Sequence, residues 1–170
     1  VGYNSQGADL VILFQRAVAN GLRVPEYGRR PAKPWEGKDY FGRGSDWNVD
    51  LKDVLGGWGR ANPSLHEIAT VCGIPGKMDV AGDDVVELWR QGAVRRIVQY
   101  NECDALTTYL LWLRTAHFGG FLTTAEYLAE QAQLEALLTT RGAKPEHDHL
   151  GRFLAAWRAM RREPHRTSKE

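Results

Sequence analysis

Hydrophobic and polar positions follow a helical period along most of the chain. From Leu10 to Val18, apolar residues recur at i, i+3, i+4, i+7 and i+8, and Gly21 follows where a helix should end, so we predict a helix over 8–22. The longest periodic segment covers 94–117 and is followed by two glycines. Five further helices are predicted, over 49–55, 65–72, 84–90, 123–139 and 147–160. Ser64, Asp83 and Thr123 are the predicted N-caps of the helices over 65–72, 84–90 and 123–139.

Extended structure is predicted at one place only, the segment 1–4, which precedes a Ser-Gln-Gly turn. The segment 25–46 is rich in proline, glycine and charge, which predicts a long surface loop. A single strand cannot form a sheet, so its partner strands are expected outside these residues. Because the chain also opens with Val1 and not with Met, we expect it to be a piece of a longer protein.

The composition is that of an ordinary soluble globular domain. The chain has 170 residues, of which 43% are hydrophobic and 25% charged, which excludes a disordered chain. No apolar run approaches the roughly 20 residues that a membrane span needs. The two cysteines, Cys72 and Cys103, are too few for a disulfide framework, so a reducing, cytoplasmic location is expected.

Positive charge is concentrated in two stretches, although the net charge is only +1. The segments 15–43 and 152–170 each hold four more basic than acidic residues. Such stretches suit a polyanion such as nucleic acid, because each neutralised phosphate releases a counterion. They are also typical of a solvated surface, and charge alone leaves both interpretations open.

Two aspartates are candidates for chemistry. Asp104 lies four residues after Tyr100 in the long helix, so the two side chains share one face with mostly apolar neighbours. A carboxylate there must be paired or bind a cation, and an arginine of another helix would serve as well as a metal ion. Asp9 stands in a first helical turn, where aspartate is also a common cap.

The context of both aspartates resembles the DEDD 3′–5′ exonucleases. The segment Asn4–Leu10 is similar to their second motif, N-x-x-x-F-D-[LI], with Ala8 in place of the aromatic residue. The segment Tyr100–Asp104 is similar to their third motif, Y-x-x-x-D. Further blocks resemble, in order, the predicted 3′–5′ exonucleases related to the exonuclease domain of family B DNA polymerases: Asp50–Leu55, Ser64–Leu65, Ile74–Lys77 and Asp104–Leu110.

This resemblance, which runs from about residue 2 to residue 138, implies an α/β fold of the RNase H-like class. The chain would be its mostly helical C-terminal part, with 1–140 belonging to the exonuclease domain and 141–170 forming a C-terminal helix and basic tail. The first motif, D-x-E, is absent, because none of the ten aspartates has Glu two residues later. We therefore expect that motif upstream of Val1, and we expect the 170-residue chain alone to be nearly inactive.

The resemblance also implies roles for individual residues. Asp9 and Asp104 would bind two divalent ions, Mg²⁺ or Mn²⁺, and Tyr100 would hydrogen-bond the attacking water, as in the tyrosine branch of the superfamily. Asn4 and Lys77 would contact substrate, although Lys77 is equally typical of a solvated loop. The expected substrate is a single-stranded or frayed 3′ end, with DNA favoured over RNA.

Two other classes compete with this hypothesis. The segment 64–91 has the rhythm of a helix-turn-helix and would make a DNA-binding protein without catalysis, but Pro75-Gly76 interrupts it. A helical interaction module would use aromatic residues such as Trp112 and Trp157, which are more typical of a core. His147 and His149 flank the start of the last predicted helix, and we expect both at the surface, not at a metal.

Overall fold

The computed structural model describes residues 1–43, 45–57, 59–76, 78 and 84–162. The described chain is mostly helical, with two 3₁₀ turns at Pro34–Glu36 and Pro145–His147. The helices are α1 (Asp9–Ala19), α2 (Pro25–Gly28), α3 (Leu51–Leu55), α4 (Leu65–Val71), α5 (Val85–Arg90), α6 (Val94–Phe118), α7 (Thr124–Gly142) and α8 (Asp148–Arg162). Among these helices, none has the combined length and hydropathy of a membrane span.

The chain divides into two compact units, Val1–Pro63 and Ser64–Glu170. In the first unit, the predicted strand over 1–4 is reduced to one parallel bridge between Gly2 and Asp50. The Gly2 N–H donates to the Val49 carbonyl at 3.0 Å, and the Leu51 N–H donates to the Gly2 carbonyl at 2.8 Å. The described residues contain no strand longer than this bridge, because the pairing of 1–4 with 49–51 stops after these two hydrogen bonds.

The segment predicted as a long surface loop is partly ordered by one buried carboxylate. Asp39 is only 1% exposed, and it accepts hydrogen bonds from the Arg30 guanidinium at 3.1 and 3.0 Å and from the Phe41 N–H at 3.0 Å. The aromatic ring of Tyr27, on α2, packs against those of Tyr40 and Phe41. The loop prediction therefore missed the short helix α2 and the 3₁₀ turn that follows it.

The second unit is built on α6, α7 and α8, and its helices begin within one residue of the predicted starts. The predicted N-caps Ser64 and Thr123 are confirmed, and each forms a capping box, with Glu67 at α4 and with Glu126 at α7. The predicted cap Asp83 lies outside the described residues. The buried core between the helices consists of Leu110, Leu111, Leu113, Leu134, Leu138, Phe153 and Trp157.

Helices α7 and α8 approach each other closely through glycine. A Cβ atom on Gly142 would lie 2.5 Å from the Gly151 backbone nitrogen, so a larger residue there would push the helices apart. This approach holds the start of α8 against the end of α7. It thereby fixes the two histidines of 147–149 beside α6.

Candidate functional site

Tyr100 and Asp104 line one cavity of about 310 Å³ in the second unit. Both belong to α6, and they are four residues apart, so their side chains emerge on the same helix face. Three other α6 residues line the cavity and continue the same helix face: Arg96, Gln99 and Cys103. His149 and Arg152 of α8 also line the cavity. The structure thus brings together the two third-motif residues.

The cavity is predominantly basic around a single carboxylate. Among its described lining residues, Asp104 carries the one carboxylate, while Arg96 and Arg152 carry guanidinium groups. The Arg152 Nε also lies 3.6 Å from an Asp148 Oδ2. An arginine from another helix as the partner of Asp104 was the alternative expectation from the sequence, and Arg152 of α8 lines the same cavity as Asp104.

This donor set does not by itself fit two divalent ions. Mg²⁺ requires several oxygen ligands, and a two-ion centre is built mainly from carboxylates. The described lining offers the Asp104 carboxylate, the Tyr100 hydroxyl and the Gln99 amide beside two arginines. Asp104 can therefore be one ligand of such a centre, but the cavity cannot complete it.

Asn4 and Asp9 lie at the other motif, in a turn of the first unit that one buried aspartate organises. The Asp50 carboxylate, in a residue only 6% exposed, accepts hydrogen bonds from the N–H groups of Asn4 at 2.8 Å and Gln6 at 2.9 Å. Asn4 has a left-handed backbone, with φ of 60°, and its Oδ1 accepts from the Lys52 Nζ at 3.3 Å.

Asp9 follows this turn as the first residue of α1, and its side chain is exposed to solvent. The Asn4 carbonyl accepts from the Gly7 and Ala8 N–H groups, which closes the turn just before the helix. Asp9 and Asn4 belong to the first unit, and Tyr100 and Asp104 belong to the second. Lys77, the other predicted substrate contact, lies outside the described residues.

The prediction that both histidines lie at the surface is wrong for His149. This residue is only 4% exposed, and its Nε2 lies 2.5 Å from a Glu102 Oε2 on α6. The 3₁₀ turn that ends at His147 places the two imidazoles side by side, with ring centroids 6.1 Å apart. Glu102, His147 and His149 each offer a ligand atom, and these atoms all lie within 4.8 Å of one another.

Sequence reasoning missed this cluster because its parts are remote from each other in the chain. Glu102 and His149 are 47 positions apart, and no local pattern links them. The available signal was the His-x-His spacing, which begins one residue after a Lys-Pro pair. That pair favours a turn before the helix. The turn brings the imidazole of His147 to the same side as the imidazole of His149.

The helix spacing does not match a helix-turn-helix. Helix α4 ends at Val71, and the next described helix, α5, begins at Val85. A helix-turn-helix joins its two helices by a turn of about 3–4 residues. Among the described residues of 64–91, none forms a recognition helix directly after such a turn, since 74–76 and 78 are not helical.

A comparison with protein families agrees with the motif pattern. One family, described as a predicted 3′–5′ exonuclease related to the exonuclease domain of PolB, matches residues 1–157. No curated protein and no solved structure matches the chain. The match includes the Asn4–Leu10 and Tyr100–Asp104 motifs and most of the described structure. The chain belongs to this family of predicted 3′–5′ exonucleases related to the exonuclease domain of PolB.

Proposed function

We propose that the chain is part of a metal-dependent 3′–5′ exonuclease that hydrolyses terminal phosphodiester bonds of nucleic acid. The observation that supports this best is the shared cavity of Tyr100 and Asp104, which is also lined by Arg96 and Arg152. A carboxylate for a metal ion, a hydroxyl for a water molecule and cations for phosphates are the groups that this chemistry needs in one place.

In this proposal, the two arginines bind the phosphates of the substrate. A guanidinium group presents several N–H donors in a plane and matches the oxygens of a phosphate. Arg96 is exposed at the rim of the cavity and Arg152 lies on α8, so the two would contact the strand from two helices. The substrate is a single-stranded or frayed 3′ end, because only an unpaired strand lets its terminal phosphodiester reach such a cavity.

Tyr100 and the acidic residues have separate roles. The Tyr100 hydroxyl orients the attacking water by a hydrogen bond, and Asp104 and Asp9 serve as metal ligands. Mg²⁺ or Mn²⁺ would supply an activated water and stabilise the leaving oxygen. The additional carboxylates that such a centre requires would come from a D-x-E pair, which the 170 residues do not contain. Asn4 and Lys77 are proposed as further substrate contacts.

Oligonucleotide binding tests the basic cavity directly. We expect the 170-residue chain to bind a fluorescent single-stranded DNA, with an affinity that falls as salt is added. Arg96→Gln should weaken binding roughly 3- to 10-fold, because one charged phosphate contact is lost. Arg95→Gln is the matched control, because it removes the same charge from α6. The Arg95 guanidinium donates to the Glu146 carbonyl at 2.9 Å instead of lining the cavity. Equal effects of the two changes would contradict the assignment of the cavity.

Release of 3′ nucleotides tests the catalytic part. With Mg²⁺ or Mn²⁺, the 170-residue chain should release them at most slowly, because Asp9 and Asp104 alone are too few carboxylates for two ions. A form that carries a D-x-E motif should be active, and Asp104→Asn should lower its turnover by orders of magnitude at nearly unchanged stability. Full activity of the 170-residue chain would show that the ligand set is misassigned, and a fully active Asp104→Asn form would remove Asp104 from it.

A further inference from the structure

We propose that Glu102, His147 and His149 form a binding site for one divalent transition-metal ion of the zinc class, which joins α6 to the start of α8. The site uses none of the residues assigned above to the exonuclease centre, so it does not rest on the proposed function. Its observation is the convergence of two imidazoles and a carboxylate from distant parts of the chain, with ligand atoms within 4.8 Å of one another.

The distances are close to those of a coordinated ion. A tetrahedral zinc ion with bonds of about 2.0–2.1 Å holds its ligand atoms about 3.3 Å apart. The Glu102 Oε2 and the His149 Nε2 are at 2.5 Å and would move apart by about 1 Å, while His147 would move inward. The Glu102 side chain is 44% exposed and His147 is only half-buried, so both have room to adjust while the buried His149 stays fixed.

The chemistry of the ligands selects the class of ion. Imidazole nitrogen suits Zn²⁺ and its neighbours in the transition series, whereas Mg²⁺ prefers an all-oxygen set. Two histidines and a glutamate are also a known protein ligand set for zinc, with a fourth position left for water or a solute. This site and a carboxylate centre at Asp104 would therefore take different ions from the same solution.

The burial of His149 is a second, independent observation. Its ring is 4% exposed, and Nδ1 is buried without a hydrogen-bond partner among the described residues. Burial holds this imidazole in one orientation, with Nε2 beside the Glu102 carboxylate, so one ligand of the site is already positioned. A solvent path exists, because Glu102 and His147 both line a second cavity of about 430 Å³.

The test is a calorimetric titration of the 170-residue chain with Zn²⁺ in the presence of excess Mg²⁺, together with the shift of its melting temperature. We expect one Zn²⁺ per chain and a rise of the melting temperature on binding. His147→Ala should weaken Zn²⁺ binding at least about tenfold and abolish that rise, because one of three protein ligands is lost. His147→Ala keeps the backbone N–H bond to the Lys144 carbonyl at 2.9 Å, and no side-chain hydrogen bond of His147 is described, so this variant should fold without zinc.

Asp148→Asn is the matched control, since it changes a charge between the two histidines but removes no ligand of the cluster. It should bind Zn²⁺ as the parent does. Glu102→Gln should weaken binding as His147→Ala does, and it leaves both imidazoles in place. Absence of Zn²⁺ binding in the parent chain, or unchanged binding in His147→Ala and Glu102→Gln, would overturn the proposal.

Discussion

The turn before Asp9 depends on Asp50, and replacing this residue should loosen the turn measurably. The Asp50 carboxylate accepts from the N–H groups of Asn4 at 2.8 Å, Gln6 at 2.9 Å and Lys52 at 3.0 Å. The last of these bonds caps α3, and the other two hold the turn that leads into α1. One side chain thus fixes two structural features of the first unit, the turn before α1 and the start of α3.

The magnitude for Asp50→Asn follows from the partners of each oxygen. Asn4 and Lys52 share Oδ1, so asparagine can keep those two bonds, but its amide group then faces the Gln6 N–H, donor against donor. A hydrogen bond to a charged group is worth about 1.5–3 kcal/mol, and a neutral one about 0.5–1.5 kcal/mol. One bond is lost and two are weakened, while a buried charge no longer has to be desolvated. The expected net loss is about 2 kcal/mol.

Hydrogen exchange of the backbone amides measures this loss where it occurs. A loss of about 2 kcal/mol corresponds to roughly 30-fold faster exchange at the Gln6 amide. Asp46→Asn is the control, because Asp46 is exposed and makes none of these bonds. If Asp50→Asn leaves the Gln6 amide as well protected as Asp46→Asn does, the carboxylate does not hold the turn and the reasoning fails.

Three further predictions concern ionisable or hydroxyl groups. Burial and a 2.7 Å hydrogen bond to Glu130 raise the pKa of Tyr109 to about 12, so the stability that its neutral form contributes should be lost as the pH rises through about 12. Tyr109→Phe should lower the free energy of unfolding, measured by chemical denaturation, by about 1 kcal/mol. The same variant should lack this late step in an ultraviolet titration of the tyrosines. The hydrogen-bonded Arg30 guanidinium lowers the pKa of Asp39, so this pair should stabilise the fold at pH values above the ordinary pKa of aspartate. That stabilisation should be lost as the pH falls through the lowered pKa. If the difference in stability between the parent and Asp39→Asn is the same at all acidic pH values, this prediction is wrong. Tyr100→Phe should lower nucleotide release by about 100-fold in a form that carries D-x-E, while its free energy of unfolding changes by at most about 1.5 kcal/mol; unchanged release would remove Tyr100 from the mechanism.

The sequence predicted those parts of the fold that local patterns determine. The N-caps Ser64 and Thr123 were predicted from the residues at the helix starts, and both are confirmed, each as part of a capping box. The long helix was predicted over 94–117 and is observed as Val94–Phe118. The segment 25–46 was understood less well, because its order comes from Asp39 and Arg30, nine positions apart, and not from a periodic pattern. A prediction from periodicity has no access to such a contact.

The candidate site divides in the same way. Tyr100 and Asp104 were assigned to one helix face from their spacing, and they do line one cavity. The arginine expected from another helix could not be named, because its identity depends on how α8 packs against α6. His149 was placed at the surface for the same reason. Its burial and its contact with Glu102 arise from packing between segments that are 47 positions apart.

Helix α6 carries both proposed sites, and the first turn of α8 connects them. At 100° per residue, Glu102 is about 200° around the helix from both Tyr100 and Asp104, so the two ligand sets do not overlap. His149 nevertheless contacts Glu102 and lines the cavity of Tyr100 and Asp104. Arg152 follows His149 by three residues and lines the same cavity. An ion that joins His149 to Glu102 and His147 would therefore also hold in place the helix turn that presents Arg152. Zinc should then strengthen oligonucleotide binding by the parent chain but not by His147→Ala, because His147 is not among the residues that line the cavity.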